Sequence, residues 1–363
     1  MRKVKIVMLA VMLHLSTLLM ACGTNTTTQE TQKETPKVGA TQEESPKPVK
    51  NPFSINVAIS KFTTNAPLFI AMEKGFFKDE NLDVTFKFLD SGQAINVAVA
   101  SGSADVGAGG FSADLYNMIS AGEKVVAVAD KGREEKTYHY SAIVVREDDS
   151  EIKSIKDLKG KKIGLTSIGS ANQYNIGMML EKNGLNSKDV QWVSLNSVSG
   201  LLEALKGKNL DVIGLSEPNV SIAIKEGYGK VLAWVSDEIS PQSAAIFFSS
   251  KFAGNEDASV RFLKAFIKGS RYYYDAVLAK KDGNFVKGSN YEEVIGIISK
   301  YSEQPKERIT VFPYIDPNGK MNVEDIKEQI NWYFKENYIK QMVDPKDFVN
   351  TELLEKTLKE MGE

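Results

Sequence analysis

From Ile55 to Gly110 the chain repeats one unit, a short apolar strand ending in a Ser/Thr/Gly/Gln loop that feeds a helix, and this repetition restricts it to an α/β architecture. Ile55–Ile59 reads as the first strand and Ser60–Asn65 as its loop. Pro67–Lys74 reads as a helix: Pro67 suits a first turn, Leu68, Ile70, Ala71 and Met72 tolerate helix, and Gly75 stops it. Asp83–Leu89 is a second strand, Ser91-Gly92-Gln93 its loop, Ala94–Ser101 a small-residue helix, and Asp105–Gly107 opens a third strand. In open α/β sheets the loops at strand carboxyl ends line the ligand crevice, where free backbone N–H groups favour an anion or another acceptor.

The rhythm restarts further along. Lys124–Asp130 is a further strand and Tyr140–Val145 a strand that leaves the first set. Lys162–Leu165, the loop Thr166–Ser170 and the helix Ala171–Lys182 then begin a second set, which runs on through Val190–Leu195, Leu210–Leu215 and Lys230–Val235. Ala244–Phe248 returns the chain to the first. At 363 residues there is length for two lobes, and the alternation predicts a parallel sheet with helices on both faces in each. Two crossovers predict a hinge, and a hinge predicts closure around a ligand. Lobe 1 is assigned to 53–141 plus 239–363 and lobe 2 to 142–238. After Asn255 the sequence turns helical, with Tyr272-Tyr273-Tyr274 read as helix packing rather than a stacking platform.

The first residues read as a targeting segment, 1–21. Arg2, Lys3 and Lys5 precede the apolar run Ile6–Met20, which is shorter than a comfortable bilayer span. Leu19-Met20-Ala21-Cys22 looks like a bacterial lipobox, so Cys22 is the expected lipidation site and the outer leaflet of the cell membrane the expected location. Cys22 is also the single cysteine, which excludes an intrachain disulfide and a cysteine metal cluster. The following stretch to residue 52 is rich in Thr, Gln, Glu, Lys and Pro and reads as a flexible tether. Lys+Arg total 45 against Asp+Glu 47, a balance that leaves no footprint for nucleic acid.

The run VAISKFTTNAPLFIAMEKGFFKDENLDVTFKF, then SGSADVGAGG, DLKGKKIGLTSIGSA and LSEP, resembles the solute-binding proteins of ABC importers in the nitrate/sulfonate/taurine/thiamine-pyrimidine group, in lipoprotein form. The resemblance covers roughly residues 55 to 235. It implies a type 2 periplasmic-binding-protein fold, two parallel-core sheets flanked by helices and joined by a hinge of two crossovers. It also implies a monomer that takes a small-molecule ligand, a sulfonate, nitrate, bicarbonate or pyrimidine, and hands it to ABC permease subunits. A ligand-sensing lipoprotein with the same cleft is an alternative. Related pyrimidine synthases share the fold, but they use a Cys-rich iron motif that this chain lacks.

Catalytic players are scarce. His139 is the one histidine beyond the leader, and no HExxH, GxSxG, Walker-type or EF-hand pattern occurs. No enzyme activity, cofactor or metal is expected. Gly109-Gly110 invites a phosphate-loop reading, but no Lys-Ser/Thr follows it. Binding chemistry is better supplied at the strand ends, where Thr63, Thr64, Gln93, Phe111, Ser112, Ser167, Ser170 and Glu217 are the candidate ligand residues. Hydroxyls and helix-start amides can hold a buried acceptor without the desolvation cost of a fixed charge. For Ser167 and Ser170 plain helix N-capping is an equal reading, and Glu217 either bonds a ligand N–H or sits at a loop edge. Phe62, Phe111 and Tyr174 are candidate apolar walls or core. Asp105 opens a strand and reads as structural. Arg133 and Arg146 are the only arginines between the first strand and the end of lobe 2, which disfavours a multiply charged ligand.

Overall fold

The computed structural model describes residues 51–363; the leader 1–21, Cys22 and nearly all of the tether lie outside the described residues. Ten strands build two sheets: β1 (Phe53–Ile59), β2 (Leu82–Phe88), β3 (Val106–Gly110), β4 (Val125–Arg133), β5 (Ser141–Arg146), β6 (Lys162–Leu165), β7 (Gln191–Ser194), β8 (Val212–Ser216), β9 (Gly229–Trp234) and β10 (Gln242–Ser249). One five-stranded sheet has the order β2-β1-β3-β10-β4 and the other β7-β6-β8-β5-β9. In the first, β1 pairs in parallel with β2 and β3, whereas β10 runs antiparallel to β3 and β4. In the second, β6 pairs in parallel with β7 and β8, whereas β5 runs antiparallel to β8 and β9.

The parallel core is therefore present in both sheets, and each also carries one reversed strand that the periodicity did not announce. The connections explain the reversal. Only 134–140 lie between β4 and β5, and 235–241 between β9 and β10. A connection that short leaves one sheet at its carboxyl end and enters the other at its carboxyl end, so the arriving strand has to run backwards.

Helices cover the sheets. α1 (Ala66–Glu73), α2 (Phe76–Asp79), α3 (Gly92–Ala100) and α4 (Ala113–Ser120) follow strands of the first sheet; α5 (Ala171–Lys182), α6 (Val198–Lys206), α7 (Asn219–Lys225) and α8 (Val235–Glu238) follow strands of the second. The remainder is α9 (Ser250–Ala253), α10 (Glu256–Tyr273), α11 (Tyr291–Ser302), α12 (Val323–Lys335) and α13 (Thr351–Glu360). α10 buries Val260, Phe262, Leu263, Phe266 and Ile267 along one stripe, and its Gly269 lies against the Pro67 carbonyl of α1, where a Cβ would come within 2.2 Å of the oxygen. Tyr273 is fully buried and donates to the Pro313 carbonyl at 2.9 Å, so the triple-tyrosine run serves packing. Among the described residues no helix is long and apolar enough to cross a membrane.

α12 joins the two sheets' surroundings. It comes from the chain beyond β10 yet packs on α5, with the Trp332 ring where a Cβ on Gly177 would lie, 2.2 Å from the nearest ring atom. Tyr174 of α5 donates to Asp325 at 2.7 Å, Tyr333 donates to the Ser170 carbonyl at 3.0 Å, and Lys335 pairs with Glu181 at 3.0 Å.

Candidate functional site

The loops at the carboxyl ends of the parallel strands meet across the molecule. After β3 the Ala113 N–H donates to the Gly169 carbonyl, in the loop after β6, at 3.1 Å. A Cβ on Gly169 would lie 3.0 Å from the Ala113 methyl, and Gly169 has a φ of +77° that other residues rarely adopt. This contact places Phe111–Ser112 beside Ser167–Ser170.

Serine starts the helices on both sides. Ser91 accepts from Ala94 N at 3.1 Å, Ser112 from Leu115 N at 3.3 Å, Ser170 from Gln173 N at 3.4 Å and Ser197 from Gly200 N at 3.0 Å. In each case the oxygen accepts, which leaves the hydroxyl hydrogen to donate elsewhere. Capping and ligand contact are thus compatible at Ser112 and Ser170.

The first-sheet candidates divide. Thr63 and Thr64 lie in a short 3-10 turn after β1, which Asn65 fixes by donating to the Ser60 carbonyl at 2.8 Å and hydroxyl at 3.0 Å. Gln93 is exposed in the first turn of α3; a Cβ on its neighbour Gly92 would be 3.7 Å from the Gly110 nitrogen, so this loop adjoins the end of β3. Of the two readings open to Phe111, wall or core, the structure supports core. Its ring is 2% exposed, packed between Tyr116 and Phe247, and its N–H donates to the Ser243 carbonyl at 3.1 Å, so it is core. Phe62, by contrast, is 57% exposed. Gly109 and Gly110 are not a phosphate loop but the last residues of β3, in register with Ala245 and Ala244 of β10.

In the second sheet Ser167 and Ile168 are exposed, while Ser170 is half-buried beneath the Tyr333 hydroxyl. Glu217 is buried and takes the Ser221 N–H at 3.0 Å and hydroxyl at 2.9 Å, which caps α7. Its own N–H donates to the Tyr140 carbonyl at 2.9 Å, beside the Ser141–Ser216 hydroxyl pair at 2.9 Å. Glu217 therefore belongs to the crossover region rather than to the Ala113–Gly169 contact. Tyr174 is buried with its hydroxyl on Asp325. His139 stacks on Trp234 at 4.8 Å and holds Asp237 at 2.9 Å, the hydrogen-bonded structural reading of that residue. Asp105 accepts from Asn56 N at 2.9 Å, as a structural residue does.

One residue was missed. Lys131, near the end of β4, is 6% exposed, and its ammonium donates to the Thr64 hydroxyl at 3.2 Å. Burial lowers its pKa to about 8, opposed by the charge of Asp130. Asp130 itself is raised to about 6 by burial, and Glu134, which accepts from Ser141 N at 3.4 Å, to about 7 by burial. The available signal was the charged pair Asp130-Lys131 closing the apolar run Val125–Ala129. Among the described residues no group of three or more His, Cys, Asp or Glu is placed to hold a metal ion.

Comparison with known proteins bears on the family and the fold. The family model described as NMT1/THI5 like matches residues 63–276. YtlA of Bacillus subtilis (strain 168), a protein named for binding, is 26% identical over 211 residues, 57% of this chain and 62% of that protein, so the chain spans under two thirds of that curated relative. Among solved structures, the periplasmic aliphatic sulphonate binding protein SsuA of Escherichia coli superposes with a TM-score of 0.67 at 20% identity, over 84% of this chain and 99% of that one. The periplasmic nitrate-binding protein NrtA of Synechocystis PCC 6803 gives 0.65 at 14% identity, over 86% and 90%. At those identities the likeness establishes the fold, that of the periplasmic binding proteins.

Proposed function

The chain belongs to the NMT1/THI5-like family, and from that premise we propose that it captures a small solute between two lobes, 53–141 with 239–363 and 142–238, and delivers it to the permease of an ABC importer. The observation that carries this reading is the meeting of strand-end loops from two sheets at Ala113 and Gly169, with serine-capped helix starts on either side. A solute bonded by both sets of loops binds the closed arrangement better than the open one, and only such a difference shifts the equilibrium. The protein captures and does not transform; hydrolysis of ATP belongs to a separate subunit. Lipid on Cys22 would hold it at the outer face of the cell membrane, the tether giving it reach.

The test is a melting-temperature screen of the purified protein against methanesulfonate, nitrate, bicarbonate, benzoate and free pyrimidines. A solute that binds only the native state raises the melting temperature by mass action. Ser170→Ala combined with Gln93→Ala should weaken that solute about tenfold or more, the loss of one or two hydrogen bonds, with the solute-free protein still folded. Unchanged affinity in the double variant removes the site assignment. For the anchor, Cys22→Ala should abolish incorporation of a fatty-acid label.

A further inference from the structure

We propose that Lys131 and Thr64 form the anion-recognition point of the cleft, and that the captured solute presents to them a singly charged oxyanion, a carboxylate or a sulfonate. The inference deepens the solute-capture reading and rests on it.

Lys131 lacks what a buried structural lysine has. Its ammonium carries three donors, and the Thr64 hydroxyl at 3.2 Å is its one hydrogen-bond partner among the described residues. Its neighbour Asp130 does not pair with it. One Asp130 oxygen takes the Gly132 N–H at 2.9 Å and the Gln242 amide at 2.6 Å, and the other takes the Asp316 N–H at 2.7 Å. A cation 94% removed from water with two donors unanswered is costly unless an anion answers them. Thr64 accepts from Lys131 and so retains its own O–H to donate to the same acceptor.

The floor beside it is bare. By register Ala244 of β10 lies between Gly110 of β3 and Gly132 of β4, so three neighbouring strands present nothing larger than a methyl group. A Cβ on Gly110 would meet the Ser243 carbonyl at 3.6 Å and one on Gly132 the Tyr314 carbonyl at 4.0 Å, with no side chain within 4 Å of either, so no side chain fills the space at these two positions.

The charge count sets the class. Arg133 is committed to Glu135 at 3.1 Å, Asp316 at 3.5 Å and the Lys320 carbonyl at 2.6 Å. Among the described residues around Thr64, Lys131 is the cation with unanswered donors, and with Asp130 beside it and buried Glu134 close in the chain it can balance at most one added negative charge, which disfavours a phosphate dianion.

The experiment uses crystals of the purified protein soaked in bromide. An anomalous peak within about 3.5 Å of the Lys131 ammonium, a contact distance for a charge-assisted bond, is expected, and its loss in Lys131→Met. An empty position in the wild type overturns the proposal. Lys131→Met replaces a buried ammonium with two unanswered donors by an apolar chain of similar length, so without solute it should melt at or above the wild type; a strong destabilisation would overturn the reading of those donors as unanswered. In the melting screen benzoate or butanesulfonate should bind and lose about tenfold or more affinity in Lys131→Met, with phenyl phosphate excluded. A neutral pyrimidine that stabilises wild type and variant alike would keep solute capture and overturn the anion assignment. Failure of every solute, with bromide still at Lys131, would strike the capture reading and leave the anion point standing.

Discussion

Gly109 carries more of the architecture than its size suggests. A methyl group there would fall 2.1 Å from the Asn96 side-chain oxygen and 3.3 Å from the Phe247 ring. Asn96 cannot easily yield, because its amide donates to the Gly110 carbonyl at 3.0 Å and ties α3 to β3. Gly109→Ala should therefore cost about 1–3 kcal/mol by overpacking. It should also weaken solute binding, because it displaces the helix that carries Gln93; urea denaturation and a binding isotherm check the two effects separately. At this scale the sequence was only partly legible. Ser170 stood out because an N-cap serine has a local signature, whereas Ser167, given the same reading, is exposed and leaves the cap to Ser170. Phe111 could be read as wall or as core, because its burial depends on what arrives from β10, far along the chain. Lys131 went unremarked for the same reason: nothing in its neighbours tells that its ammonium ends beside Thr64.

Among the elements, α12 deserves the closest test. Ile326, Ile330, Tyr333 and Phe334 recur at helical spacing along it; the first three are buried, but Phe334 is 44% exposed. The stripe did not reveal that α12 packs on α5, since periodicity gives a helix its face and not its partner. Trp332 makes the contact, 3% exposed and set edge-on to Tyr174 at 5.7 Å. Trp332→Ala should cost about 3–5 kcal/mol by removing a large buried ring. Its buried indole N–H has no partner, so Trp332→Phe should cost clearly less, and equal losses in chemical denaturation would contradict this account. The strands were the most legible elements, because a parallel core repeats a recognisable strand–loop–helix unit. The direction of β5 and β10 was not, because an apolar run reads the same either way along a sheet.

For the whole molecule, three buried carboxyls set the response to acid. Burial raises Glu134 from 4.5 to about 7, against hydrogen bonds from Ser141. Asp130 rises from 3.8 to about 6 by burial, against the Asp316 N–H, the charge of Arg133, the Gln242 amide and the Gly132 N–H. Asp325 also rises to about 6 by burial, opposed by Gln329, Tyr174 and the Gln242 N–H and reinforced by Glu328. A raised carboxyl binds its proton more tightly when folded, so its burial penalty grows as pH climbs from the unfolded value through the folded one. Stability should therefore increase as pH falls from about 7.5 to about 5, by at most roughly 2–3 kcal/mol per group. It should turn over below the normal carboxyl range, where Glu73, held low by Lys300, and Asp149, held low by the Ile152 N–H, take up protons. Urea midpoints across pH check the curve, and Glu134→Gln should flatten its upper part. The interleaved strand order has a further consequence, for assembly as the chain emerges. The second sheet draws on one continuous stretch and has all its strands by Trp234, whereas in the first β10 sits between β3 and β4 and arrives last. Until then β3 and β4 each lack a neighbour, and open edges of that kind invite pairing with other chains. A chain of this design makes its whole second sheet while its first is still unfinished, and the stage at which it most needs a chaperone ends only when residues 242–249 slot into the gap.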